Sequence, residues 1–309
     1  MRFRLLGPLT VEGAEDPLRL DGRRPRAVLA FLLLEAGALL RVEQIVDAVW
    51  GDAPPRTVRT QVHAQISVAR RWLRALPDVR IVTHATGYAL QVAPSDVDVS
   101  VFRQLVRQGR TLAGTGQPAE AAEAYRSALG LHRGEPLVDI EAPFAAAAAA
   151  RLADERLGAL AELIGLDLAA GRHHDLIPAL SALVERHPWH EPLWCHLLVA
   201  LNRAGRRGEA IRCYQRARRL FRDELGVEPG SELTLAYRSL LTGGPAAELS
   251  GEMARTLNRL SEAERILGEV RQQLSRLGLD GWAARPNPVA PPVPPRSSDG
   301  GATDAEIAA

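Results

Sequence analysis

The sequence predicts a mainly α-helical protein that begins with a small α+β unit. Alanine and leucine dominate a composition that is 46% hydrophobic and 5% aromatic, which favours helices over large sheets. Short strand-like runs, bounded by glycine and proline turns, cluster before residue 95. Helical periodicity fills residues 96–243, and a length of 309 residues suggests about two domains. We therefore expect a winged helix-turn-helix followed by an all-α domain of tetratricopeptide-like helical repeats.

Residues 1–95 should form three helices and several short strands. The expected strands are Phe3–Leu6, Leu9–Glu12, Leu18–Leu20, Val79–Thr83 and Tyr88–Val92, and the expected helices are Arg26–Ala36, Arg41–Trp50 and Thr57–Leu76. A tight turn at residues 85–87 joins the last two strands. Three helices followed by a hairpin is the element order of a winged helix.

Residues 96–243 contain weak internal repeats. Ala-Gly pairs end successive periodic helices at Ala113-Gly114, Ala170-Gly171 and Ala204-Gly205. The last two pairs lie 34 residues apart, which is the tetratricopeptide period. We expect three or four stacked helical hairpins, closed by a helix at Ser231–Leu241, with a concave surface suited to partners.

The chain changes character after residue 243. Residues 244–283 carry an amphipathic helix pattern, which fits either a short coiled coil or a helix packed on the repeats. Residues 284–309 are rich in proline, serine, glycine and aspartate, and we expect a disordered tail there.

Several function classes find no support in the sequence. The chain has no lysine, which excludes a P-loop or Schiff-base lysine, and it has no GxSxG or HExxH motif. His187 and His190 have HxxH spacing, but no further ligand pattern completes a metal site. Cys195 and Cys213 form no CxxC motif, and no apolar stretch is long enough to span a bilayer. We expect a cytoplasmic protein without catalytic residues, cofactor, metal or membrane contact.

The third predicted helix has the pattern of a DNA-reading element. At 100° per residue its apolar side chains form one stripe, and the opposite side carries short polar residues followed by arginines. Short side chains can reach base edges in the major groove, and arginines can bind phosphates. The candidate DNA-binding residues of this helix and the wing are Arg56, Thr57, Arg59, Thr60, His63, Ala64, Ser67, Arg71, Arg74, Arg80, Thr86, Gly87 and Tyr88.

Three other interpretations stay open at this point. An arginine-rich amphipathic helix is often only a solvated face, and the net charge of the chain is just +1. A winged helix joined to helical repeats also suits a protein-interaction adaptor, although docking favours exposed leucine, phenylalanine or tyrosine, which this face lacks. A repressor can use the same DNA-binding unit as an activator.

Four motifs together resemble the SARP type of actinobacterial antibiotic regulatory activators: LLGPLTVEG near the start, WGDAPP before the third helix, THATGYAL in the wing and LGVEPG near residue 230. The resemblance spans roughly residues 1–243. It implies an OmpR/PhoB-type winged helix at 1–95 and a bacterial transcriptional activation domain at 96–243. It also implies binding to direct repeats of double-stranded DNA near promoters of secondary-metabolite clusters, with RNA polymerase holoenzyme as partner and a second protomer on the adjacent repeat.

Overall fold

The computed structural model describes residues 2–13 and 17–242. The predicted helix at 244–283 and the predicted tail at 284–309 lie outside these described residues. Short strands and three helices come first, and from residue 98 the described chain is helical. The predicted fold class, a winged helix followed by helical hairpins, is confirmed.

The N-terminal part contains two small antiparallel sheets and three helices. Its elements are β1 (Phe3–Arg4), β2 (Thr10–Val11), α1 (Arg23–Leu34), β3 (Leu39–Arg41), α2 (Val42–Trp50), α3 (Val58–Leu73), β4 (Arg80–His84) and β5 (Gly87–Gln91). Strand β1 pairs with β2, and β5 lies between β3 and β4 in the second sheet. The hairpin of β4 and β5 is the wing.

Two features of this part differ from the prediction. The predicted strand Leu18–Leu20 is wrong: the chain makes one isolated bridge, between Glu12 and Pro17, and then continues without strand structure. Proline at this entry removes a donor that a ladder would need. Strand β3 is missing from the prediction, because Leu39–Arg41 is too short to show an alternating pattern.

The C-terminal part consists of helical hairpins. Its helices are α4 (Asp98–Gly114), α5 (Pro118–Leu129), α6 (Pro143–Ala169), α7 (His173–Arg186), α8 (Glu191–Arg203), α9 (Arg207–Leu225) and α10 (Ser231–Thr242). Gly171 and Gly205 have φ angles of 86° and 73°, a left-handed conformation that ends a helix and lets the chain reverse. After α4 this role falls to Gly116, two residues beyond the predicted turn.

The buried apolar residues form two clusters that divide within α6. The first cluster runs from Phe3 to Leu163 and joins the winged helix to α4, α5 and the first half of α6. The second runs from Ala161 to Leu240 and is built by the later helices. The predicted boundary at residues 95 and 96 falls in a short 3₁₀ turn, Pro94–Asp96, but the hydrophobic core continues across it.

Hydrogen bonds reinforce this shared core. The buried carboxylate of Asp98, in the first turn of α4, accepts the backbone N–H groups of Leu5, Leu6 and Val99 at 2.8–2.9 Å. Burial raises the pKa of Asp98, while these N–H donors oppose the rise. The Arg133 N–H also donates to the Leu6 carbonyl at 2.7 Å. The segment after β1 is therefore fixed to the repeats at several points.

Candidate nucleic-acid interface

Helix α3 is held against the body of the winged helix by an apolar stripe. Val62, Ile66, Ala69 and Leu73 are all nearly completely buried, as their helical spacing predicts. The stripe packs on α1, α2 and β4. The orientation of α3 is therefore set by its buried side, and its opposite side is left at the surface.

The surface side of α3 carries the side chains expected for reading DNA. All six predicted outward residues are exposed: Thr60, His63, Ala64, Ser67, Arg71 and Arg74. Arg56 and Thr57 are exposed just before the helix. The outward face carries no large apolar side chain. The hydroxyl of Ser67 donates to the His63 carbonyl at 2.9 Å, so its free lone pairs face outward as acceptors.

A polar cluster fixes the turn between α2 and α3. Gln61 of α3 accepts hydrogen bonds at its Oε1 from Trp50 Nε1 at 3.2 Å and from the Arg24 guanidinium at 2.6 Å. The same guanidinium lies over the Trp50 ring, 5.3 Å from its centroid. One residue from each of α1, α2 and α3 therefore meets here, next to the start of α3.

Arg70 joins α3 to the wing, a role that the sequence does not reveal. Its guanidinium donates to the Ile81 carbonyl at 2.8 Å and to the Thr83 hydroxyl at 2.6 Å, both on β4. It also lies 5.8 Å from the centroid of the Tyr88 ring on β5. Arg70 is absent from the DNA-binding residues predicted from the sequence. Its half-buried position suits a residue that positions the wing beside the helix.

Two predicted contact residues, Gly87 and Tyr88, lie inside the wing and not at its surface. A Cβ at Gly87 would lie 1.8 Å from the Leu40 carbonyl oxygen, so only glycine allows β3 and β5 to pair at this point. Tyr88 is 3% exposed. Burial raises the pKa of its phenol, opposed by the charge of Arg70. The exposed wing candidates are Arg80 and Thr86.

Tyr88 contacts α3 through His63. Its hydroxyl lies 2.5 Å from His63 Nδ1, and the two rings meet edge to face with centroids 6.0 Å apart. His63 is exposed, whereas Tyr88 is not. The base of the wing therefore holds one outward-facing side chain of α3 by a direct contact.

The basic residues of the interface differ in their partners. Arg59 forms an ion pair with Glu43 of α2 at 2.6 Å, and Arg80 donates to Gln91 at 2.6 Å. Among the described residues, no carboxylate forms an ion pair with Arg56, Arg71 or Arg74. Asp78, the one acidic residue in the segment 56–80, has its carboxylate 3.6 Å from the Arg2 guanidinium. The cations at both ends of α3 are thus available to an anionic ligand.

A metal site or a membrane-spanning helix would be visible in the geometry of the described residues. In the described ranges 2–13 and 17–242, no group of three or more His, Cys, Asp or Glu side chains converges to hold a metal ion. No helix of this part of the chain is long and apolar enough to cross a membrane. Cys195 and Cys213 are both buried thiols, and burial raises the pKa of each to about 12.

A winged helix with an exposed polar and basic recognition helix, continuous with helical repeats, defines a class of DNA-binding transcription regulators. Residues 97–241 match the family model of the bacterial transcriptional activator domain. The chain is 34% identical over 261 residues to regulatory protein DnrI of Streptomyces peucetius, covering 81% of this chain and 96% of that protein. It is 32% identical to transcriptional regulator RedD of Streptomyces coelicolor, covering 82% of this chain and 74% of that protein.

The fold is similar to that of a solved relative. The structure of Mycobacterium tuberculosis EmbR in complex with a low-affinity phosphopeptide matches with a TM-score of 0.78 at 27% identity, covering 84% of this chain and 70% of that one. The chain belongs to the SARP-type family of transcriptional activators. These relatives are transcriptional regulators.

Proposed function

We propose that this protein activates a secondary-metabolite gene cluster by binding direct repeats of duplex DNA near a promoter, with α3 in the major groove. The observation that carries the proposal is the outward face of α3. It combines short polar side chains with Arg71 and Arg74, which form no ion pair within the described residues, and it lies beside the wing. A bulkier or more apolar face would fit the groove poorly.

The residues of this face divide into two roles. Thr60, His63, Ala64 and Ser67 are short enough for α3 to approach base edges, and the Ala64 methyl suits a thymine methyl. Arg71 and Arg74, one turn further along, reach phosphates and fix the register of the helix. Arg56 and Thr57 stand at the N-terminus of α3, where the positive end of the helix dipole favours a phosphate.

Two further candidates contribute from neighbouring elements. Arg59 is held by Glu43 in the free protein, but exposed ion pairs are weak and a phosphate competes with the carboxylate. Arg80 and Thr86 of the wing face the solvent and suit the DNA backbone next to the groove that α3 enters. Gly87 and Tyr88 act indirectly, by holding the wing and His63 in place.

The regulatory step is proposed from family membership. Regulatory protein DnrI and transcriptional regulator RedD are relatives over most of this chain. We propose that two protomers occupy adjacent repeats and that the winged helix and repeat domain present a surface to RNA polymerase holoenzyme. The hydrophobic core shared by the winged helix and the first repeat helices supports this proposal. Such a core would hold a surface bound to polymerase at a fixed position relative to the DNA.

A salt series of DNA-binding measurements tests the proposal. We expect log K for a selected duplex to fall steeply and linearly with log salt, since each phosphate contact releases counterions. A flat dependence would favour a protein-docking adaptor. Transcription in vitro from a promoter carrying the selected repeats separates activation from repression: transcript should rise with added protein, and a fall would contradict an activator.

A further inference from the structure

The contact between Tyr88 and His63 restricts the chemistry that His63 can present to DNA. The two nitrogens of an imidazole point away from each other across the ring. With Nδ1 2.5 Å from the Tyr88 hydroxyl, on the protein side, Nε2 is the nitrogen left for an outside partner. His63 is exposed and lies one turn from Ser67 on the outward face of α3.

The surroundings of Tyr88 determine which group donates. Tyr88 is 3% exposed, and within the described residues its hydroxyl makes no hydrogen bond other than the one with His63. A buried hydroxyl proton needs an acceptor, and Nδ1 of His63 is the one within reach. The Arg70 guanidinium over the Tyr88 ring makes the phenol a better donor, and burial keeps it protonated at neutral pH. Nδ1 then accepts, so a neutral imidazole carries its proton on Nε2.

We infer that Tyr88 holds His63 in one orientation and one tautomer, so that Nε2–H donates to N7 of a purine in the major groove. This inference rests on the proposed DNA binding. A fixed donor on α3 favours a base that offers an acceptor there, and it disfavours cytosine, whose major-groove group is an amino donor. His63 is the base-reading residue, and Tyr88 is its positioning residue.

Replacing single purines by their 7-deaza analogues tests the inference, because the change removes N7 and leaves Watson–Crick pairing in place. The duplex is first selected from random sequence with the full chain. At one purine position in each repeat, 7-deaza substitution should weaken wild-type binding about fivefold, the value of one hydrogen bond of about 1 kcal/mol. His63→Ala should bind less tightly and lose the dependence at that position alone.

Tyr88→Phe separates positioning from contact. The ring stays in the wing core, and only the hydroxyl is removed. We expect the 7-deaza effect at the His63 position to fall below about twofold, while the effects at other purines are kept. His63→Gln should retain affinity but accept cytosine at that position, because a free amide can donate or accept. Arg238→Ala, an exposed arginine on α10, serves as the unchanged control.

Several outcomes would overturn the inference. A 7-deaza profile of Tyr88→Phe identical to that of the wild type would show that Tyr88 does not orient His63. Identical profiles for the wild type and His63→Ala would show that His63 does not donate to a purine N7. If Tyr88→Phe unfolds, His63→Gln alone decides, and continued rejection of cytosine would count against a fixed donor. If selection yields no preferred sequence, the proposed DNA binding itself fails, which is a different result from any of these.

Discussion

At the residue scale, the outward-facing side chains of α3 fall into two groups, one suited to DNA bases and one suited to phosphates. His63 and Ser67 are short and lie among small neighbours, whereas Arg71 and Arg74 are long, exposed and without ion-pair partners in the described chain. Contacts to phosphates carry no sequence information, and contacts to bases do. The two kinds of residue therefore predict different mutational signatures.

Arg71→Ala should weaken binding to all duplexes alike. Loss of one phosphate contact should lower the slope of log K against log salt by about one, without changing the preferred sequence. The measurement is a salt titration on the selected duplex and on a scrambled one. Arg238→Ala on α10 is the matched control. A changed base preference in Arg71→Ala would contradict its phosphate role.

His196, buried in the second hydrophobic cluster, should make the free energy of unfolding depend on pH. Burial lowers its pKa from the ordinary 6.5 to about 4, so the folded chain keeps it neutral. The unfolded chain takes up a proton at this histidine as pH falls below 6.5, whereas the folded chain does not until about pH 4. The free energy of unfolding is therefore highest above pH 6.5 and decreases as pH falls from 6.5 to about 4. Between pH 7 and pH 5 the loss should be about 2 kcal/mol.

The variant His196→Leu isolates this contribution. Its free energy of unfolding, measured by urea at several pH values, should fall less steeply with acid than that of the wild type. Burial also lowers the pKa of His132 to about 4. His132 should therefore account for part of the pH dependence that remains in the variant. Equal slopes for the variant and the wild type would show that His196 is not kept neutral by burial.

At the element scale, the wing is a small sheet whose pairing leaves no room for a side chain at Gly87. The position stands opposite Arg41 of β3 and beside the Leu40 carbonyl. The wing also depends on Arg70, which ties β4 to α3. The two elements proposed to contact DNA, α3 and the wing, are thus fixed to each other in the free protein.

Gly87→Ala should disrupt the pairing of β3 with β5. The new methyl group would overlap backbone atoms that cannot move independently, so we expect a loss of at least about 2 kcal/mol in unfolding free energy and weaker DNA binding. Gly158→Ala is the control, since a Cβ there meets nothing within 4 Å in a helix. That change should be neutral or stabilise by up to about 1 kcal/mol. A Gly87→Ala protein as stable as wild type would contradict the clash.

Much of the element pattern could be predicted, and the failures have physical causes. The buried stripe of α3 has a clear 3.6-residue period, so its inner and outer faces follow from Val62, Ile66 and Leu73 alone. Strand β3 has only three residues and exists because β5 pairs with it. The roles of Arg70 and Tyr88 depend on where the wing lies in space, and no local pattern in the sequence encodes that.

At the scale of the whole molecule, the DNA-binding part and the first repeats share one hydrophobic core. Composition and repeat period locate a change of architecture near residue 95, but they cannot show that packing continues across it. The residues that reveal this, Leu5, Leu6 and Asp98, are distant in sequence. A firm junction suits a protein that holds a partner at a fixed place relative to its DNA site.

Asp98→Asn should weaken this junction. Asparagine replaces one accepting oxygen by a donating amide, which would face the N–H groups of Leu5, Leu6 or Val99 and leave them unsatisfied. We expect a loss of about 2 kcal/mol in unfolding free energy, together with faster hydrogen exchange at Leu5 and Leu6. Asp96→Asn, which alters the nearby pair with Arg2, should cost less than about 1 kcal/mol. Equal losses of unfolding free energy in the two variants would show that the Asp98 carboxylate stabilises the fold no more than the Asp96 ion pair does.

Chemical footprinting of the full chain on its selected duplex tests the central claim most directly. Dimethyl sulfate modifies guanine N7 in the major groove, and hydroxyl radicals report the backbone. We predict protection of major-groove N7 positions in each of two direct repeats, flanked by protected backbone, with the N7 protection lost when the five outward residues of α3 other than Ala64 are replaced by alanine. Sequence-independent protection, or N7 protection that survives this replacement, would contradict the assignment of α3 as the DNA-reading element.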